Sequence, residues 1–555
     1  MDSISENSNS KKGLFVQAGI LAIAGVISRI IGLLYGSPLA AIIGDEGNGY
    51  YASAYAIYTI VLLISSYSIP SAMSKIISGK LAVKEYRNAQ RIFRCALVYV
   101  SVVGGIGSLV LFFAADILVT GRSATVLRFF APTIFLFGFL GVLRGYFQAH
   151  RTMVPTSISQ LIEQVFNAIV SIGGALILTG IVGDAVENKA KRAVYGAIGS
   201  ALGTGSGVVI ALIFMFLVYR YNRPKIMSRM EKDRSEDMAT IEIFKMIFMI
   251  VTPFILSTFI YNLSTSLNST LFSRILMHVK DMDESLVAFE YGIFARKAMV
   301  ITNLPIALAS AAASAMIPEV STTFARGEKE EAGKLVSRVN RVILMISIPC
   351  AAGLFALARP VVMILFPQKA SLDEAAYLLM FLSITVVFYS LSTVTNAVLQ
   401  GIGKVNAPVI NAVIALIIQS AALAFLLIKT NLQAFALCIV TIIYSFVMCL
   451  LNNFVMKRHL RVTNDLKKTY MFPVISSVVM GAVAFGAYKL FELIFNQFVG
   501  SDYFVNLFST MIAVAIAVSV YFVVLIKSGG ASEEDIKRFP KGSSIVGLLK
   551  KTRIL

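Results

Sequence analysis

Apolar residues in this chain come in long uninterrupted runs, separated by short polar stretches that are mostly basic. A helix needs about 20 apolar residues to cross the hydrocarbon core of a bilayer. The pattern predicts about fourteen transmembrane helices, at roughly 14–43, 50–79, 92–115, 126–149, 157–180, 195–219, 245–273, 286–317, 339–366, 374–402, 406–428, 433–456, 470–495 and 503–527. Several runs exceed 25 residues, which implies tilt or extension beyond the bilayer. The first twelve residues are polar, and the run 14–43 is too long for a cleaved leader, so it reads as a retained first span. The expected fold class is all-α integral membrane.

Composition excludes the soluble alternative. Of 555 residues, 57% are hydrophobic and 14% charged, against about a quarter charged in a soluble domain. No soluble fold hides that much apolar surface. The net charge of +19 raises nucleic acid as a partner, but its distribution argues against it. With the N-terminus inside, 33 Lys and Arg fall in cytoplasmic segments, and only Arg122, Lys189, Lys191, Arg192, Lys280, Lys369 and Lys429 fall in outside loops. That asymmetry is how membrane topology is written, and it supports an N-in/C-in chain in the cytoplasmic membrane. Cys95, Cys350, Cys438 and Cys449 are scattered, with no metal-ligand spacing, so neither a disulfide framework, a metal nor another cofactor is expected.

The chain repeats itself. Ile69-Pro70-Ser71-Ala72-Met73-Ser74-Lys75 has a counterpart in Ala315-Met316-Ile317-Pro318-Glu319-Val320-Ser321. Gly145-Tyr146-Phe147-Gln148, with Arg151 and Pro155 after it, has one in Val398-Leu399-Gln400-Gly401, followed by Lys404 and Pro408. Both matches shift by six helices. The expected organisation is a cytoplasmic segment 1–13, an N-lobe 14–219 (helices 1–6), a cytoplasmic linker 220–244 and a C-lobe 245–456 (helices 7–12). Helices 13–14 at 470–527 and a basic cytoplasmic tail 528–555 complete it. An even helix shift makes the lobes parallel repeats about an axis along the membrane normal. The tail reads either as an amphipathic surface helix or as a disordered basic segment.

Ionisable residues deep in a span are expensive, roughly 2.5–3.5 kcal/mol on insertion scales, so they mark candidate function. Arg29 shares a helical stripe with Gly25, Gly32 and Gly36, with Ser28 adjacent, while Ile23, Ile27, Ile30 and Leu34 lie opposite. Small residues line helix contacts or cavities, so Arg29 is expected to point inward. Arg296 shares a stripe with Gly292 and Asn303. The expectation is one central cationic cavity holding Arg29 and Arg296, one from each lobe, with Lys75 and Lys297 as further members. Such a cavity selects an anion, and guanidinium suits phosphate oxygens through its bidentate fork. The structural alternative pairs either arginine with a backbone carbonyl or a buried acid. Lys75 reads more readily as snorkelling near the cytoplasmic end. Lys297 falls on an apolar stripe, with Glu290 a conceivable partner. Arg144 and Arg274 are secondary candidates: interfacial, or at a cavity mouth.

Other signals carry less. Gly203-Thr204-Gly205-Ser206-Gly207 sits inside an apolar helix without a preceding strand, so it reads as helix packing rather than a nucleotide loop. Asn262, Asn268 and Asn411 read as helix-joining polar residues. No Ser/His/Asp or His/Glu set stands at catalytic spacing, so the chain reads as a transporter and not an enzyme.

The run Ser28-Arg29-Ile30-Ile31-Gly32, the Gly47-Asn48-Gly49-Tyr50-Tyr51 turn, Ile69–Lys75 and Leu143-Arg144-Gly145-Tyr146-Phe147-Gln148 resemble the polysaccharide-flippase branch of the multidrug/oligosaccharidyl-lipid/polysaccharide (MOP) exporter superfamily. The resemblance is closest to its lipid II flippases and stage V sporulation B group. It implies two six-helix lobes around a V-shaped cavity, alternating access, and a tail groove on helices 13–14. It matches essential cavity arginines to Arg29 and Arg296; a second helix 1 arginine of the family falls near Tyr35. Helices 7 and 11 lack the carboxylates that bind sodium in some members.

The resemblance further implies an undecaprenyl-pyrophosphate-linked glycan as substrate, chiefly lipid II for peptidoglycan, with membrane lipid and cell-wall synthesis machinery as partners. The alternatives are a flippase for another lipid-linked polysaccharide (spore cortex, capsule, teichoic acid) and a cation-coupled drug or metabolite antiporter.

Overall fold

A computed structural model describes residues 2–67, 69–183, 188–231, 233–462, 465–530 and 547; for 2–19, 21–22, 67, 253–261, 308 and 310–318 it describes the backbone alone. The tail from 531 onward, read as a surface helix or a disordered segment, therefore lies outside the described residues except for residue 547. The chain divides into two compact units, 1–292 and 293–555.

The first unit holds α1 (Asp2–Leu62), α2 (Ile69–Ala82), α3 (Tyr86–Phe113), α4 (Ala115–Leu118), α5 (Ser123–Ala149), α6 (Val154–Val182), α7 (Lys189–Glu231), α8 (Thr240–His278) and α9 (Glu284–Gly292). The second holds α10 (Met299–Ala325), α11 (Lys329–Ala356), α12 (Ala358–Leu365), α13 (Leu372–Leu382), α14 (Thr385–Gly401), α15 (Asn406–Lys429), α16 (Ala434–His459), α17 (Phe472–Phe495) and α18 (Asp502–Lys527). No strand occurs among the described residues. Every predicted apolar run falls in helix. Ten helices among the described residues are long and apolar enough to span a membrane, or eleven if the α13–α14 pair, bent by 44°, counts as one broken span.

One of the ten runs from Ile23 to Ala82, 60 residues. At 1.5 Å per residue it is about three times the hydrocarbon thickness, so it must contain a turn. The turn is at Gly44, whose φ of 69° and ψ of 176° break the helix. A residue with a Cβ would be strained there. α1 is thus two helices, the first ending at Ile43.

Close packing in the first unit rests on glycine. A Cβ on Gly203 would overlap the Ser171 side chain and backbone, and one on Gly207 would overlap the Glu163 carbonyl. The glycine-rich run of α7 is therefore a crossing surface against α6, as small residues are in membranes. Gly145 of α5 lies against Pro70 of α2, where a Cβ would come 2.7 Å from the Pro70 carbonyl. The two motifs Ile69–Lys75 and Leu143–Gln148 meet there as a helix crossing.

In the second unit, Asn411 Nδ2 donates to Asn452 Oδ1 (2.8 Å) and Asn452 Nδ2 to Asn396 Oδ1 (2.7 Å). This buried chain joins α15, α16 and α14, the joining role expected of Asn411. The α17–α18 pair is held by Asn506 Nδ2 to the Pro360 carbonyl (3.0 Å) and Tyr521 hydroxyl to the Met345 carbonyl (2.8 Å).

The sequence repeat opens its second half at 245, whereas the compact division falls at Gly292/Ile293. The reason is packing: α8 lies against α1, α2 and α3, and α9 against α1.

Candidate functional site

The first half of α1 has three faces. Ala24 and Leu39 are packed, and Ser28 Oγ is buried with no hydrogen-bond partner among the described residues. Ile23, Ile27, Ile30 and Leu34 are exposed, as a lipid-facing edge should be. Between these lies a third strip, open yet not apolar: a Cβ on Gly25, Gly32 or Gly36 would meet nothing within 4 Å. Arg29 stands on that strip, exposed, without a hydrogen bond or ion pair to any described residue. It lies fifteen residues before the Gly44 break, roughly 22 Å along the helix. A guanidinium at that depth needs water or an anion, and the strip leaves room for one.

Lys75 occupies a similar strip on α2. Ser71, Lys75 and Gly79 are exposed at successive helical turns, while Ile69, Ala72, Met73, Ile76 and Ile77 are buried. Asn303 on α10 is exposed and Arg296 is half-buried with a polar partner.

Two candidates, Lys297 and Arg144, sit elsewhere than expected. Lys297 has no exposed surface; its Nζ donates to Ser371 Oγ at 2.6 Å. The π-helical turn Ile293–Ala298 carries both Arg296 and Lys297. Such a turn holds an extra residue and re-aims its side chains, here seating Lys297 against the start of α13. A headgroup cannot reach it in this conformation. Arg144 is also buried: its Nε donates to Ser159 Oγ (2.9 Å) and its Nη2 to Glu163 Oε2 (2.7 Å). It is a clamp between α5 and α6 and not a cavity mouth. Arg274 is exposed and donates to the Ile117 carbonyl at 2.6 Å.

Sequence reasoning missed a clasp at the end of the first unit where α9 begins. Arg122 N donates to Glu284 Oε1 (2.6 Å), and its guanidinium donates to the Tyr50 hydroxyl (3.3 Å). Below it two backbones touch: a Cβ on Gly49 would overlap the Ala288 carbonyl, and one on Gly292 the Asp45 carbonyl. The glycines of the Gly47–Tyr51 run were visible in sequence, although the run is helix and not the expected turn, which lies at Gly44; their partners, far along the chain, were not.

The described residues form a helical multi-pass membrane protein. Residues 15–324 match the family described as "Polysaccharide biosynthesis protein", and the chain belongs to that family; residues 295–426 match MatE. It is 23% identical to the lipid II flippase MurJ of Bacillus subtilis (strain 168) over 484 residues, 84% of this chain and 86% of that one. It is 22% identical to stage V sporulation protein B of the same organism, over 94% of this chain and 96% of that one. Among solved structures, the inward closed conformation of lipid II flippase MurJ superposes with a TM-score of 0.64 at 14% identity, covering 91% of this chain and 97% of that one. The fold is that of the MOP superfamily, and the protein is a multi-pass protein of the cell membrane.

Proposed function

We propose that this protein is a flippase that moves a lipid-linked polysaccharide precursor across the membrane by alternating access, and that its cargo is an undecaprenyl-pyrophosphate-linked glycan of the lipid II type. The observation that carries the reading is Arg29: an unpaired guanidinium on the open glycine strip of α1, in a chain of a polysaccharide biosynthesis family. Guanidinium binds pyrophosphate oxygens in a bidentate fork. Arg296 and Lys75 are the further candidate cations.

The polyprenyl tail stays in lipid throughout. Carrying it through water would cost about 0.8 kcal/mol per methylene. Only the headgroup needs a polar route, and the open strip that carries the Arg29 guanidinium supplies one. Cargo shifts the balance between the two conformations by as much as its affinity for them differs. An inside-negative potential assists, because outward movement of an anion gains about 2.3 kcal/mol per charge per 100 mV.

The test is complementation of a bacterial strain depleted of its lipid II flippase, with leaflet-resolved measurement of lipid II. Wild type restores growth and lowers the inner-leaflet pool; Arg29→Ala and Arg296→Ala do neither, at unchanged membrane abundance. Full growth with both variants would remove the arginine assignment.

A second reading has its own support. The likeness to stage V sporulation protein B spans 94% of the chain, against 84% for MurJ. On that reading the glycan serves sporulation, and the protein restores spore formation in a strain lacking that protein while failing to replace the lipid II flippase.

A further inference from the structure

At the basic end of the first unit a pocket of about 270 Å³ opens between the ends of α2 and α5, the start of α3 and the far part of α7. That is slightly smaller than a typical drug-sized site. Its polar lining is one-sided: Lys225, Arg229, Asn222 and His150 contribute, with Tyr146 and Tyr86 as aromatic walls and no carboxylate among the lining residues. Lys225 and Arg229 stand four apart on α7, hence on one helix face. Neither has a hydrogen bond or ion pair to a described residue.

This part of α7 lies beyond the span. α7 has 43 residues, about 64 Å at 1.5 Å each, twice what the hydrocarbon needs. The pocket sits where the neighbouring span α5 ends, since His150 caps that helix. Its tyrosines are the residues that settle at headgroup level. Tyr146 hydroxyl donates to Gln90 Oε1 (3.1 Å), and Gln90 Nε2 donates to the Tyr219 hydroxyl (2.6 Å), so this wall is fixed.

We infer that this pocket binds the phosphate of an anionic phospholipid in the leaflet facing the basic loops, gripped by Lys225 and Arg229. The positive-inside pattern makes that the cytoplasmic leaflet, and basic pockets between helices on that side suit acidic headgroups. His150 contributes no charge at neutral pH: burial, aided by Arg229, holds its imidazole below the ordinary value of 6.5. Its Nδ1 lies 2.9 Å from the Tyr146 carbonyl, which orients the ring as a wall. The site is separate from the Arg29 strip and does not depend on the transport reading.

Native mass spectrometry of the purified full-length protein with added phosphatidylglycerol tests it. Wild type retains the lipid, and K225Q/R229Q retains about thirtyfold less, since each surface cation is worth about 1 kcal/mol toward acidic lipid. K225R/R229K, which keeps both charges, retains it as wild type does; equal far-ultraviolet circular dichroism shows that all three fold. Millimolar inorganic phosphate distinguishes the source. Failure to displace the lipid supports a membrane-anchored ligand, whereas displacement, absent from the glutamine variant, supports the same phosphate grip on a soluble ester. Equal retention by wild type and K225Q/R229Q overturns the inference.

Discussion

At the scale of single residues, the membrane-embedded charges fall into two kinds. Arg29 is unpaired and open; Arg144 and Lys297 are buried and satisfied. The difference was half legible. The stripe of Gly25, Gly32 and Gly36 around Arg29 announced space. Nothing in the sequence announced that Glu163, nineteen residues beyond Arg144, would reach back to it, because that depends on how α5 and α6 turn at Thr152–Val154. Removing one partner of a buried ion pair costs about 3–5 kcal/mol, and replacing both with apolar residues costs far less. Glu163→Leu is therefore expected to lower the thermal unfolding temperature of the detergent-solubilised protein by several degrees, and Arg144→Met/Glu163→Leu to recover most of the loss. A double variant as unstable as the single would mean that Arg144 is held chiefly by Ser159.

At the scale of helices, glycine sets the architecture. Gly203 and Gly207 join α7 to α6, Gly145 joins α5 to α2, and Gly49 and Gly292 join the second half of α1 to α9. The apolar runs were read correctly as helices because twenty consecutive apolar residues permit little else in a bilayer. Breaks within helices were harder. The Gly44 turn sits inside a continuous helical pattern, and the π-helical turn at Ile293–Ala298 has no sequence signature; that is why Lys297 was assigned to a cavity. Gly49→Val is expected to push α1 and α9 apart. In a variant lacking the four native cysteines, maleimide labelling of Ala288→Cys in intact membranes should rise several-fold on adding Gly49→Val. Unchanged labelling would show that the crossing tolerates a side chain.

The stretch after α7 is stapled rather than slack. Arg87 N donates to Asp233 Oδ2 (2.7 Å), Asn88 Nδ2 to the Glu236 carbonyl (2.8 Å), and Arg91 pairs with Asp237 at 3.0 Å. Nearby, Glu85 is held below its ordinary 4.5, chiefly by the hydrogen bond from Lys80. A depressed carboxylate pKa contributes stability above the unfolded value and loses it as pH falls through the folded one. The anchoring of this stretch should therefore weaken only in acid below about 4.5, visible as faster amide hydrogen exchange at 233–238 after correction for intrinsic rates. The pair is partly exposed, so the effect is small.

At the scale of the whole molecule, class and family could be read from the sequence, because hydropathy and the repeat are global properties. The cargo could not, because peptidoglycan and other glycan precursors share pyrophosphate and polyprenol. The positive-inside count predicts that cysteines placed in 184–188 label from outside intact cells and those in 151–153 do not; the reverse pattern would invert the topology.

The bond between Lys297 and Ser371 has a consequence for how the protein is made. Its two ends are 74 residues apart, and at roughly 5–20 residues per second the ribosome delivers the hydroxyl about 4–15 seconds after the ammonium. Until then the hydroxyl that receives this hydrogen bond does not exist, so the contact between the π-helical turn and the start of α13 forms only after α13 has been synthesised. Assembly of this contact is then ordered by translation: a cysteine at position 297 should label with maleimide in chains stalled before residue 371 and be protected in chains stalled well beyond α13.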